Sequence, residues 1–405
     1  MIFQGPYASP YYFILFAAAV IPVVIMQMLG KRCEWYQALL TIFFLSVSFG
    51  GPNIEQGIAL VCYIIYQTVI QSAYFAYRKK RNNTFVFIAA VIFAIIPLFL
   101  IKLTEIVPDG TKDRLSLIGF LGISYLTFKA VQVVIETRDG LISDFRLWHY
   151  IRFLTFWPTI SAGPIDRYRR FVPELTAPAD KMRYAELFGR GVRHIFTGFL
   201  YNYIIAFLIG RFVLPVVSDY ALHGGNILAG TIGYMYVYSA YLFFDFAGYS
   251  RMAIGVSYLL GYETPPNFNL PFLSYNIKDF WNRWHMSLSF WFRDYIYMRL
   301  LMTFIKKKVF KSRIVTSNIC YFALFLLMGA WHGFTWYYIA YGLYHATLIC
   351  LTDVWLRFKK KHTGIPSGRL THIVAVFLTI QAVCISFLIF SGFLDTLITT
   401  FVVTG

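Results

Sequence analysis

Nine stretches of this 405-residue chain are apolar for the thickness of a bilayer, and that property limits its fold more than any other. They cover 11–29, 57–77, 84–103, 116–135, 194–217, 228–248, 314–331, 336–356 and 371–390. A hydrocarbon core is crossed by about 17–25 apolar residues in a helix, and a helix satisfies its own backbone where no water is present. Shorter or wetter candidates lie at 36–50, 148–162, 250–261 and 285–304. The expectation is an all-α polytopic membrane protein of roughly ten to twelve membrane helices, some of them partial. Residues 1–405 are expected to form one integral membrane domain, because no polar stretch is long enough to bury a second core. Composition agrees: 58% of residues are hydrophobic, only 14% are charged, and mean hydropathy is +0.60. Soluble domains sit nearer half apolar and a quarter charged.

The net charge of +17 matters for where it is placed. Basic clusters stand at Lys31-Arg32, 78–81, 167–170, 306–313 and 357–361, while "GGPNIEQG" and "TEIVPDGTKD" are neutral or acidic. The positive-inside rule makes the basic loops cytoplasmic and starts the first helix outside. The amino terminus lacks the basic region of a secretory signal, so the first helix is expected to stay in the mature chain. Orientation and attraction to anionic lipid account for most of the charge, and the basic face would also suit an acidic protein partner. Nucleic acid is excluded as a partner, since no soluble module accompanies the charge. The five cysteines stand singly, without a metal spacing, and read as small buried hydrophobes.

Two blocks break the pattern. Residues 136–193 are too polar for one span and too apolar for one loop, and Pro158, Gly163 and Pro164 interrupt any helix through them. A re-entrant or interfacial segment is expected there, followed by a cytoplasmic amphipathic helix at about 181–193. In the second block, 245–304, the connection "YETPPNFNLPFLSYN" cannot span. Asn276, three residues before Asp279, should cap a helix carrying "FWNRWHMSLSFWFRDY", Phe280–Tyr295. If that helix is continuous, Trp281, Trp284, His285, Leu288 and Phe292 share one side. Arg283, Arg293 and Asp294 are expected to form ion pairs, because isolated charges there would be too costly.

Of eight histidines, three lie in apolar surroundings: His285, His332 in "GAWHGFTWY" and His345 in "YGLYHATLIC". A buried histidine is often a neutral imidazole bonded between helices, yet ionisable groups inside a membrane are functional candidates. His345 stays between these readings. His332, flanked by Gly329 and Gly333 at a helix end, should be reachable rather than packed, which favours function. H-E-x-x-H, G-x-S-x-G and Walker patterns are all missing, so metal-dependent, serine-hydrolase and P-loop chemistry lose their usual signatures. An imidazole can take a proton from a hydroxyl at neutral pH. Acyl transfer from an activated donor needs little more than that base, a positioned acceptor and donors for the developing oxyanion. Asn282, Arg283 and the indole N–H groups of Trp284 and Trp331 are candidate supporting donors.

The quoted block, its His285 followed 47 residues later by His332, resembles the membrane-bound O-acyltransferase family. "FWPTISAGPIDRYRRF" and "DFAGYSRMAIG…NFNLPF" are similar to its other characteristic stretches, and the four matches fall in family order over about 155–335. The resemblance implies a ring of helices around a central funnel, with catalytic positions at His332 and His285. "WHMSLSFWFRDYIYMRLL" and the basic loop 305–313 look most like the D-alanyl-transfer branch of that family, in Gram-positive teichoic acid modification. That likeness implies a plasma-membrane location and a D-alanyl thioester on the phosphopantetheine of a small acidic carrier, with no cofactor bound by the chain itself. It further implies membrane partners of the same pathway and lipoteichoic acid as final acceptor. Carrier docking is assigned to Leu300, Leu301, Met302, Ile305, Lys306 and Lys307. The alternatives are an O-acetyltransferase of an extracellular polysaccharide, a transporter or flippase, and a structural scaffold in which both histidines are dispensable.

Overall fold

A computed structural model describes residues 7, 9–104, 106–108, 116–362, 364 and 366–403. Among them the chain is helical, with no strand, and eight helices are long and apolar enough to cross a membrane. Eight of the nine expected spans fall within these helices. Part of the acidic stretch 104–113 lies outside the described residues. The chain divides into two compact units: Met1–Phe199 with Tyr249–Pro265, and Leu200–Gly248 with Pro266–Gly405.

The first unit corrects the expected span at 116–135. The helix there is Ile123–Arg138, 16 residues, with nearly every side chain buried. It is too short to cross, and its polar residues explain why it sits inside protein. Lys129 Nζ donates to the Phe153 carbonyl and to Thr159 Oγ1 at 3.4 and 3.3 Å, and Gln132 Nε2 donates to the Asp166 carbonyl at 2.7 Å. These donors, with the Tyr7 hydroxyl on the Pro158 carbonyl at 3.0 Å, serve the irregular block 155–167. Backbone that leaves helical form away from water needs such partners. Gly122 starts the helix at φ 94°, and a Cβ there would lie 2.2 Å from the Ile160 carbonyl oxygen, so only glycine fits.

The polar block folds as the short helices Leu147–Leu154 and Tyr168–Thr176, with a 3-10 turn Trp157–Thr159 where Pro158 stops the first. The amphipathic helix expected at 181–193 and the span 194–217 are not separate. One 43-residue helical run covers Lys181–His223, with π-type stretches at Leu200–Ala206 and Ile209–Val213. The polar N-terminal half therefore leads into the apolar half without a break. Likewise 228–248 and 250–261 join in a single helix, Ile227–Leu259.

In the second unit, Arg313–His332 and Trp336–Lys361 form a hairpin. Gly329 approaches the Tyr338 carbonyl and Gly342 the Phe325 carbonyl so closely that a Cβ would sit 2.5 and 2.4 Å away. Small residues let two membrane helices meet backbone to backbone. That contact fixes the end of the first helix, where His332 stands. Arg369–Phe390 packs beside the hairpin, and Phe393–Val403 follows.

The helix expected to carry the quoted block is broken. Asn276 Oδ1 does cap it, accepting from Asp279 N at 2.9 Å, but the helix ends at Trp281. Residues 282–285 turn, a second helix runs Met286–Phe292, a π-type turn covers Arg293–Tyr297, and a third helix runs Met298–Lys306. The single face proposed for Trp281 through Phe292 therefore does not exist. His285 marks the break, with φ 41° and ψ 53°, a left-handed conformation rare for a residue with a Cβ.

Candidate functional site

All three histidines of apolar surroundings belong to the second unit. His332 is the last residue of its helix and is only partly buried, walled by Trp331, by Phe390 edge-on at 4.9 Å and by Tyr338 and Tyr341. His285 is buried, its ring edge-on to Phe246 at 4.7 Å. It lies outside the eight spanning helices. Burial, and secondly the neighbouring His332, push its imidazole down to about 3, so it is neutral at physiological pH. A neutral ring offers one donor and one acceptor and carries no stored proton.

His345 is fully buried one layer deeper, its ring against Tyr341 at 4.7 Å. Its Nδ1 accepts from the Trp281 indole N–H at 3.3 Å, which leaves the ring proton on Nε2. Its partner Trp281 lines a cavity of about 210 Å³. The cavity also touches Asn282, Arg293, Tyr321 and Met328. Met328 precedes His332 by one turn on the same helix face, so the cavity runs along the helix that ends in the histidine.

The supporting residues fall into separate environments. Asn282 is exposed at the cavity. Arg283 is tied to Asp279 at 3.0 Å, and Arg293 pairs with Asp294 at 2.8 Å, the ion pairs anticipated for these charges. Trp284 is buried in an aromatic cluster, stacked on Phe280 at 5.5 Å and packed on Phe268 and Phe387. Trp331 abuts His332 at 4.4 Å. Of the docking residues, Leu300 and Leu301 are partly buried, while Met302, Ile305, Lys306 and Lys307 are exposed. The reading from sequence missed Lys278, which lines the cavity and is paired with Asp353, itself paired with Arg357 at 2.9 Å. No spacing in the sequence links positions 75 residues apart.

A family profile for the membrane-bound O-acyltransferases matches residues 57–392. The chain belongs to that family. It is therefore an acyltransferase, and its many apolar helices make it a multi-pass membrane protein. Transporter and scaffold readings lose their support. Within the family, it is 47% identical to a teichoic acid D-alanyltransferase of Lacticaseibacillus rhamnosus over 98% of this chain and 99% of the relative. A teichoic acid D-alanyltransferase of Bacillus subtilis is 47% identical, over 96% and 98%. A protein of Azotobacter vinelandii named for alginate O-acetylation is 32% identical, over 57% of this acyltransferase and 44% of its own length.

Proposed function

We propose that this acyltransferase moves D-alanine from a carrier-bound phosphopantetheine thioester to the D-alanylation of lipoteichoic acid in a Gram-positive plasma membrane. The observation that carries the reading is identity of 47% to teichoic acid D-alanyltransferases over nearly the full length of both chains, where the polysaccharide acetylation relatives match little more than half.

In the proposed reaction His332 is the general base. It takes the proton of the acceptor hydroxyl while that oxygen attacks the thioester carbonyl, and the C–S bond breaks as the ester C–O bond forms. The proton passes to the departing thiolate, so the base is regenerated. His285, neutral, orients by hydrogen bonding and does not carry the proton. Asn282, at the cavity, supplies a donor for the developing oxyanion. The cavity beside Trp281 and Met328 takes the thioester arm. The exposed apolar and basic residues Met302, Ile305, Lys306 and Lys307 receive an acidic carrier helix. With the basic 306–313 loop cytoplasmic and the amino terminus outside, the 20-residue helix carries His332 roughly 30 Å from the carrier's side. Donor and acceptor would then approach from opposite faces, the acceptor together with membrane proteins of the same pathway.

The test is D-alanine incorporation into teichoic acid in cells lacking the native protein, complemented with wild type, His332→Ala or His285→Ala at matched membrane levels. Loss in His332→Ala supports the base, and His285→Ala should retain a measurable fraction. Full incorporation by His332→Ala overturns the mechanism, and incorporation of acetyl in place of D-alanine by wild type would point to the acetyltransferase reading.

A further inference from the structure

The motif "NFNLPF" resembles a family stretch and has no role in the chemistry above, yet it lies against the turn that holds His285. Asn267, 1% exposed, touches both residues that follow His285. Its backbone carbonyl accepts from Met286 N at 2.9 Å. Its side-chain Oδ1 accepts from Ser287 N at 3.3 Å and from Ser287 Oγ at 2.6 Å. Met286–Phe292 begins with left-handed His285 in the cap position, and the His285 side chain caps nothing. An oxygen from a distant residue takes the place a Ser, Asn or Asp N-cap would fill, and satisfies donors the helix start leaves open.

The clamp continues along the chain. Asn269 N donates to the Arg283 carbonyl at 2.9 Å, so the 267–269 strand of backbone is bonded on both sides of His285. Leu270 has φ 46° and is left-handed as well. Both chain segments thus hold a non-glycine residue in a conformation that persists only where surroundings enforce it, and such residues gather at active sites. Phe246 closes the arrangement, edge-on to Phe268 at 5.1 Å and to His285 at 4.7 Å. The Asn267 amide nitrogen is buried and bonds to no described residue, so the oxygen is the working end of the side chain.

We infer that Asn267 is a positioning residue: its Oδ1 and carbonyl lock the 283–287 turn, and through it set the direction of the His285 ring. The inference rests on His285 serving the acyl transfer proposed above.

Two readouts on the full-length protein in detergent or nanodiscs separate the clamp from the reaction. Hydrogen–deuterium exchange of peptides covering 283–289 reads the clamp. In Asn267→Ala those amides should exchange about 10-fold faster, as expected when one or two hydrogen bonds are lost. D-alanyl transfer from a loaded carrier reads positioning: turnover should fall about 10- to 100-fold while KM for the carrier stays within about twofold, the mark of misplacement rather than lost binding. Asn267→Asp keeps the oxygen, at a helix N-terminus that favours negative charge, and should recover most of the turnover. If Asn267→Ala does not fold, Ser287→Ala removes one of the three bonds and should give about a threefold loss of turnover with the same unchanged KM. Wild-type exchange and turnover in the folded variant overturn the inference. So does equal loss in Asn267→Asp and Asn267→Ala, which would assign the effect to the amide nitrogen. Faster exchange in Asn267→Ala together with no D-alanyl transfer by wild type upholds the clamp and defeats the proposed reaction instead.

Discussion

The two units spend their buried polar groups differently. In the first, several charged groups are paired with a neighbour: Asp166 with Arg170 and the Arg167 amide, Glu136 with Arg169 at 3.2 Å, and the half-buried Arg190 with Glu263 at 2.9 Å. Arg152 and Gln37 meet at the Tyr262 hydroxyl. The second also has paired charges, Lys278 and Arg357 with Asp353 and Arg283 with Asp279, but in addition holds three imidazoles among aromatic rings, of which His332 is partly buried at a helix end. Charge committed to charge stabilises irregular backbone and is unavailable for a reaction. An imidazole in an apolar setting is the kind of group that can take a proton from a hydroxyl. Both blocks look equally irregular in sequence, but under the proposed reaction the first is architecture and the second carries the chemistry.

The contrast breaks most visibly at two substitutions. His332→Ala should lower D-alanyl transfer by about 10²- to 10⁴-fold, the range general base catalysis supplies, with an unaltered melting temperature. Asp166→Asn in the first unit should do the reverse. It leaves the Arg170 guanidinium without its carboxylate and should destabilise the protein by about 1–3 kcal/mol, with turnover per folded molecule within about twofold. Thermal unfolding in detergent and a carrier-loaded transfer assay, run on both variants, decide the matter. If Asp166→Asn abolished transfer in a protein that melts normally, the division of labour between the units would be wrong.

How the sequence failed at each block is consistent with this. The apolar runs were legible because bilayer thickness imposes a length, and eight of nine fall in helices able to cross. The ninth failed because hydropathy does not tell a lipid-facing helix from one buried in protein. Ile123–Arg138 carries Lys129, Gln132 and Glu136, whose need for partners was the available warning. Asn276 announced its helix correctly, but nothing local announced the stop at Trp281. That break is enforced by Asn267 and Asn269, from a separate stretch of chain, and helical periodicity carries no information about such contacts. His332 was singled out from two glycines and a helix end, whereas the Lys278–Asp353 pair beside the cavity exists only in three dimensions.

A smaller effect should follow from Trp281→Phe. The ring and most of the cavity wall remain, while the donor to His345 Nδ1 is lost. Stability should fall by about 1 kcal/mol and transfer by a few-fold, with KM for the loaded carrier rising because the wall loosens. A change in turnover alone, at constant KM, would instead connect His345 with the chemical step and move it out of the supporting layer.

The remaining expected effect is a slope. Burial holds the folded His285 imidazole down at about 3, whereas an unfolded histidine titrates near 6.5. Above about pH 6.5 neither state binds that proton and His285 leaves stability independent of pH. As pH falls from about 6.5 towards 3, the unfolded chain takes up a proton that the folded one refuses, so stability decreases progressively through that window. His285→Gln, which cannot be protonated, should lose this part of the acid slope while the rest of the curve keeps its shape. Melting temperatures of wild type and His285→Gln, measured from pH 7.5 to 5, provide the comparison. Parallel curves would mean that the His285 ring accepts a proton in the folded protein. It would then have to be treated as a proton carrier beside His332, and the neutral, orienting role assigned to it would fall.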